Sequence, residues 1–412
     1  MLKTIPTNQV KLGMHLHALA GAWVNHPFWK TNFIINDAID LKKIQQSGVK
    51  EVVIDISKGL DVVEQPQIKV ASNRIKLQEQ DTSKADKQTT SISLQRNSLR
   101  EEHAQASKIV DASKKAIRAM FKDVRMGNAI NTESLNKVVH EISSSVARHE
   151  SALISLVRLK NKDDYTYMHS VAVCALMVAL SRQLQLSESE TKQAGLAGLT
   201  HDIGKAGIAI EVLNKPGALT DDEFSLVKLH PDRGHDILLA AQIADKVVLD
   251  VCLHHHEKID GSGYPDKLQG DQISFFAKMG AVCDVYDAIT SNRPYKEGWD
   301  PSVSLQRMAQ WKGHFDEVIF KAFVKSLGIY PIGSTIKLKS GRLAIVVDQS
   351  PKSLLKPIVR VFFSTKSKSR IPMQTIDLSK PNEREEIIGH EDPVLWGIND
   401  INHIWSQFEI WD

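Results

Sequence analysis

Apolar positions change their spacing twice along the chain. Near the start they alternate loosely. "VKLGMHLHAL" (Val10 to Leu19) predicts a strand, and the β-branched "KEVVIDIS" (Lys50 to Ser57) predicts a second. Between them, "INDAIDLKKIQQSG" reads as a short helix that Asn36 or Asp37 caps and Gly48 ends. Trp23, Phe28, Trp29 and Phe33 supply the aromatics of a small core. A polar tract follows, "SNRIKLQEQDTSKADKQTTSISLQRNS", with no sustained period; its composition is that of a linker. From Glu101 the period becomes helical, with Ile109, Ala112, Ala116, Ile117 and Met120 expected on one face. That face could pair with a second copy of the chain, though packing within its own domain serves as well.

Helical spacing continues through "LNKVVHEISSSVARHESALISLVRL", "TYMHSVAVCALMVALSRQL" and "DDEFSLVKLHPDRGHDILLAA" to about Leu327. After Pro331 it gives way to strand patterns, "STIKLKSGRLAIVVDQ" and "LLKPIVRVFFSTK", with Ser340-Gly341 as a turn. The expected architecture is multidomain and mainly α-helical, with a small α/β module at 1–68 and a polar linker at 69–100. A helical domain occupies 101–328 and a small β-rich unit 329–412.

Composition narrows the function classes. A formal net charge of +3 on 412 residues lacks the basic stripe of a DNA or RNA binder. The longest aliphatic run, Val171 to Leu180, is about half of a membrane span. No apolar leader opens the chain, and Cys174, Cys252 and Cys283 are far apart and never in C-x-x-C spacing. A cytoplasmic protein with reduced thiols is expected.

Candidate chemistry concentrates in the helical middle. His169, His201-Asp202, Lys205, His230, His254-His255-His256 and Asp284 occur there in chain order. Singly, each histidine would be read as a core or surface residue. Together, imidazoles and carboxylates suit first-row divalent metals, and this many ligands suffice for two ions sharing a bridge. In "THDIGKAG", adjacent His201 and Asp202 diverge by about 100° on a helix, so they meet one ion only at a helix end or between helices. Asp202 has two oxygens and can bridge; Lys205 would set an ammonium beside anything bound there. Gly204 and Gly207 permit a tight exit. "HHHEKIDGSGYP" places three imidazoles just before a glycine-punctuated turn.

The H-D pair, with His169 upstream and Asp284 downstream, resembles the HD phosphohydrolase superfamily. "HHEKIDGSGYP" followed by "DVYDAITSNRPYK" narrows the likeness to the HD-GYP family of bacterial cyclic dinucleotide phosphodiesterases, over roughly Tyr165 to Lys296. "AWVNHPFW" and "VVIDISKG" resemble a module often found ahead of such domains. The resemblance implies one metal held by His169, His201, Asp202 and Asp284, and a second held by Asp202, His230, His255 and His256. Iron or manganese is expected first, nickel or zinc next. His254 then falls outside the ligand set, and His235 and His314 are structural. Asp202 and Lys205 would serve catalysis; Lys205, Tyr264, Arg293 and Lys296 would contact substrate. Some relatives hold a third metal through a glutamate one turn before the first histidine. Tyr165 stands there, and a phenol titrating near pH 10 is a poor ligand, so two metals are expected.

The implied reaction is hydrolysis of cyclic di-GMP to pGpG, and onward to GMP, by a hydroxide bridging the metals. Cyclic GMP-AMP is the alternative substrate. Two other classes compete: a non-catalytic receptor signalling to partner proteins through the GYP loop, and a di-iron oxygenase. The first usually loses metal ligands, which this chain retains; the second leaves Arg293, Lys296 and the loop without a task.

Overall fold

The computed structural model describes residues 2–19, 33–35, 41–42, 44–45, 51–60, 99–158, 165–213, 215, 217–292, 297–401 and 404. They fall into two compact units, 1–95 and 96–412. The chain is thus multidomain and mostly helical, with one small sheet at each end.

In the first unit, β1 (Leu2–Pro6), β2 (His15–Leu19), β3 (Phe33–Ile34) and β4 (Glu51–Asp55) form an antiparallel sheet of order β1-β4-β2-β3. Val52 and Ile54 are buried with Ile5, Met14, Leu16, Ile35 and Ile44 in its core. The strand expected from Val10 starts only at His15. Lys11 to Met14 turn instead, with Gly13 at φ +85°, a conformation that needs a glycine. Of the expected helix, residues 41–42 and 44–45 are helical. The aromatic positions 23, 28 and 29 and most of the polar linker lie outside the described residues.

The second unit opens with the long α1 (Leu99–Arg125). Its buried face is Glu102, Ala106, Ile109, Ser113, Ile117 and Met120 rather than one running through Ala112, which is exposed. Glu102 explains the shift. Its fully buried carboxylate accepts two hydrogen bonds from Arg148, at 2.7 and 2.9 Å, and one from Ser145 Oγ at 2.8 Å. A paired charge can occupy a core position that an apolar pattern does not reveal.

The helical run after residue 132 is two helices, α2 (Thr132–Arg148) and α3 (Glu150–Arg158), broken at His149, whose backbone is extended. α4 (Tyr165–Gln183) is buried from Met168 to Ser181 and packs against α3, α5 (Glu188–Thr200) and α10 (Phe275–Thr290). An all-round apolar helix is what a central position demands. A Ser187/Glu190 capping box starts α5, and Ser274 caps α10. Between these lie α6 (Ile210–Leu213), α7 (Asp221–Lys228), α8 (His230–Ala240) and α9 (Lys246–His254). α7 and α8 were one continuous helical segment by pattern; Leu229 separates them, with Pro231 in the first turn of α8.

After α11 (Pro301–Gln310) and α12 (Glu317–Leu327), β5 (Thr335–Leu338), β6 (Arg342–Ser350), β7 (Ser353–Ser364), β8 (Ser369–Asp377) and β9 (Ile387–His390) form an antiparallel sheet of order β8-β7-β6-β5-β9. Gly341, at φ +85°, makes the expected turn between β5 and β6. Asp300 caps α11 and also accepts from the Thr335 N–H at 2.8 Å, tying the sheet to the helices.

Candidate metal centre

α5 stops at Thr200, so His201 and Asp202 sit at a helix end and not within a helix. The 3-10 turn Ile203–Gly207 follows. Gly204 fits this turn against the start of α8: a Cβ there would overlap the His230 carbonyl oxygen and the Gly234 nitrogen. Gly207 meets no such crowding. The close approach delivers His230 to Asp202. α4 brings His169, α10 brings Asp284, and the end of α9 brings His255 and His256.

Asp202 lies at the middle. Its Oδ2 is 3.5 Å from His169 Nε2 and 3.4 Å from His201 Nε2; its Oδ1 is 3.2 Å from His230 Nε2 and 3.8 Å from His255 Nε2. Asp284 Oδ1 stands 2.9 Å from His169 Nε2 and 3.7 Å from His201 Nε2, and its Oδ2 is 3.7 Å from His256 Nδ1. Two ligand groups result among the described residues, His169-His201-Asp202 and His230-His255-His256. Within each, donor atoms lie within 4.8 Å of one another.

The outer nitrogens test whether a cation fits. His201 Nδ1 faces Gly198 O at 2.8 Å, His230 Nδ1 faces Val227 O at 2.7 Å, and His255 Nδ1 faces Val251 O at 3.0 Å. His169 Nδ1 is 2.6 Å from Asp287 Oδ2. Each Nδ1 is thereby a donor, which turns the four Nε2 atoms inward as the positions open to a metal ion or a proton, as in metal-binding histidines. His230 and His255 bring Nε2 atoms within 3.2 Å of each other, and buried His201 Nε2 and Asp202 Oδ1 have no well-formed hydrogen bond. Converging imidazole and carboxylate acceptors call for positive charge beyond what the Lys205 ammonium brings. Divalent metal ions fit this donor set.

Electrostatics agrees. Burial disfavours charge on His201, but Asp202 and Asp284 outweigh it and raise the imidazole to about 10. Asp202 and Asp284 stay ionised despite burial: Lys205 and His201 hold Asp202 well below the usual carboxylate range, and His169 and His201 do so for Asp284. His255 and His256 go the other way. Burial and neighbouring imidazoles push His255 far down, and burial takes His256 to about 3.

Lys205 Nζ stands 2.5 Å from Asp202 Oδ2. Tyr264 stacks on His256, with ring centroids 4.7 Å apart. Gly263 packs against the ligand turn itself, where a Cβ would overlap the backbone of Glu257 and Lys258. Tyr165 stacks on His169 at 5.9 Å. Arg293 and Lys296 lie outside the described residues. His254 points away from the centre, between Asp250 at 2.8 Å and Asp266 at 3.1 Å.

Two supporting carboxylates, Asp287 and Asp250, escaped the sequence reading, and a third, Glu257, entered it only as the last residue of a His-His-Glu motif, without a role. Asp287 orients His169, and its spacing from Asp284, one turn along α10, was an available signal. Buried Glu257 accepts from the Asp266 and Leu268 N–H groups at 2.7 and 3.1 Å, bracing the loop after Tyr264. Asp250 joins His254 to Ser274, the cap of α10.

This site lies within the segment 143–319, which matches the HD domain model; residues 2–135 match a domain of unknown function, DUF3391. A cyclic di-GMP phosphodiesterase of Pseudomonas aeruginosa is 49% identical over 98% of this chain and 96% of its own. The chain belongs to the HD-GYP family. A cyclic di-GMP phosphodiesterase response regulator of Xanthomonas campestris is 36% identical over 44% of this chain and 46% of its own. A 3′3′-cGAMP-specific phosphodiesterase of Vibrio cholerae is 34% identical over 40% of this chain and 31% of its own. The Pseudomonas relative therefore spans both the segment with the histidine and aspartate cluster and the N-terminal module. No helix among the described residues is long and apolar enough to cross a membrane.

Proposed function

We propose that this protein is a cytoplasmic, two-metal phosphodiesterase that opens cyclic di-GMP to pGpG and continues to GMP, with 3′3′-cGAMP as the alternative substrate. The observation that carries it is the placement of Asp202: one carboxylate oxygen faces His169 and His201, the other His230 and His255. His169, His201, Asp202 and Asp284 would hold one ion, and Asp202, His230, His255 and His256 the other. Iron and manganese suit this mixture of imidazole and carboxylate best. When bound, such ions act as Lewis acids on phosphodiester oxygens and make water nucleophilic at neutral pH.

The chain's own groups do the rest. Asp287 and three backbone carbonyls fix the imidazole tautomers, so little reorganisation remains when substrate arrives. Lys205 carries its ammonium at the edge of the centre, where it can neutralise a phosphoryl oxygen and protonate the leaving 3′-oxygen. Tyr264 walls the centre beside His256. Hydrolysis adds water across one P–O3′ bond, leaving a 5′-phosphate and a free 3′-hydroxyl, which is pGpG. Arg293 and Lys296 are proposed to hold the second phosphate, since a guanidinium fork suits a phosphate that a simple monoester lacks.

The test is paired metal and product analysis on wild type and on the double variant His201→Ala, Asp202→Ala. Wild type should contain two ions per chain and yield pGpG under reducing conditions. The double variant should lose both metal and turnover while keeping its helical circular dichroism. Metal-loaded wild type that leaves both cyclic dinucleotides intact would refute the assignment.

A further inference from the structure

α7 buries none of its residues. It is held locally, by a Thr220/Glu223 capping box and by Lys215, whose Nζ lies 2.6 Å from Glu223. Its surface is nonetheless apolar in part, with Phe224 47% exposed. Lys228, at the end of α7, forms no ion pair among the described residues. Its ammonium lies instead 4.7 Å from the centroid of the Phe224 ring and 5.5 Å from that of Tyr264. Tyr264 in turn stacks on His256. A continuous ladder, His256–Tyr264–Lys228–Phe224, thus runs from the metal centre to solvent.

We propose that this ladder becomes a guanine subsite when the Lys228 ammonium swings off the Phe224 face it covers: a purine of the substrate then stacks on that face and Lys228 reads its edge. The proposal rests on the cyclic dinucleotide reading and adds a base preference to it. An exposed ring offers any base a stacking surface. The ammonium discriminates, because it has three N–H donors and no acceptor. Guanine presents two acceptors on one edge, O6 and N7; adenine presents N7 beside the N6 amino group, itself a donor. With a phosphate at the metal centre, an adjoining ribose and base extend outward along the wall that Tyr264, Lys228 and Phe224 form. Continuity with the centre and charge complementarity both favour guanine as the occupant.

The test uses the full chain and bis(p-nitrophenyl) phosphate, a diester without a base, as reporter of the metal centre. GMP and AMP are compared as competitive inhibitors of its hydrolysis. GMP should bind about tenfold more tightly than AMP to wild type, the discrimination of a modest base-edge contact. Lys228→Met should bring the two inhibition constants together; Phe224→Ala should weaken both alike. The KM for cyclic di-GMP should rise about tenfold in Lys228→Met, with kcat changed far less. Both side chains are exposed, and thermal melts should match wild type. Equal inhibition by GMP and AMP in wild type, or a preference that survives in Lys228→Met, overturns the subsite. If wild type cleaves the aryl diester but no cyclic dinucleotide, the proposed substrate fails, and the GMP/AMP ratio still decides the subsite.

Discussion

The two halves of the centre share Asp202, and Asp284 reaches from the first to His256 of the second at 3.7 Å, yet their imidazoles differ in how they balance charge. One half, His169, His201 and Asp284, pairs each imidazole with a carboxylate oxygen at 2.9 to 3.7 Å. The other, His230, His255 and His256, is imidazole packed on imidazole, with ring centroids 4.2 to 5.3 Å apart. The same residue type responds oppositely: His201 is raised to about 10, whereas His256 is lowered to about 3. At His201 an arriving ion competes with a proton; at His255 and His256 it meets neutral rings already prepared to donate. The halves should therefore hold their ions by different balances of charge and geometry.

The largest effects should come from breaking each half separately. Asp284→Asn removes charge from the first half, and His255→Gln removes a neutral donor from the second. Both should reduce turnover by more than about 100-fold, the upper range for losing a mere supporting partner of a ligand. They should differ in metal retention. His255→Gln should keep the ion of the carboxylate half, whereas Asp284→Asn should lose that ion first. Metal content measured after gel filtration decides it. Equal retention in the two variants would erase the distinction between the halves.

A smaller effect sharpens the first half. Asp287 reaches the centre through His169, whose Nδ1 lies 2.6 Å from its Oδ2. Asp287→Asn preserves shape but leaves an amide that can hydrogen-bond His169 Nδ1 without the carboxylate's charge. Metal affinity should fall about 10- to 100-fold, and excess metal should restore turnover. Chelator competition measures the first and metal titration of activity the second. Activity that stays low at saturating metal would assign Asp287 a different task.

These variants also mark the limit of what the sequence disclosed. Every histidine of the two groups could be named in advance, since a clustered residue type with a resembling motif survives ignorance of the fold. Asp202 as the shared carboxylate was nameable too, because only a two-oxygen ligand can face both ways. Asp287 and Asp250 were not named, and Glu257 only as a motif residue without a role: a lone carboxylate on a helix looks like a solvated residue until the fold brings its partner. The fold shows the same division. Period identified the helical middle and both sheets, but Glu102 rotated the inner face of α1, and breaks at His149 and Leu229 left no mark in hydrophobic spacing. β8, whose residues are mostly exposed, and the four-residue β9 carried too little pattern to be seen.

The smallest predicted effect uses a buried imidazole outside the centre as reference. His103 on α1 is buried, with Ser155 Oγ 3.4 Å from its Nε2. Burial, then the neighbouring His149, lowers it to about 4 against the attraction of Asp348 and Glu102. Its unfolded counterpart titrates near 6.5, so between about pH 6.5 and 4 the unfolded chain binds more protons. Stability should then rise with pH through that window and fall on acidification. A depression of this size is worth at most about 3 kcal/mol, fully expressed only below the folded value. His103→Leu should flatten this part of the acid limb by up to that amount, measured by urea unfolding at pH 7 and pH 4.5 on metal-free protein. An unchanged acid limb would show that the imidazole takes up its proton as readily in the fold as in the unfolded chain. Burial alone would then no longer suffice to keep a histidine neutral in this protein, and His255 would owe its neutrality to the neighbouring imidazoles and His256 to His230 and Lys205.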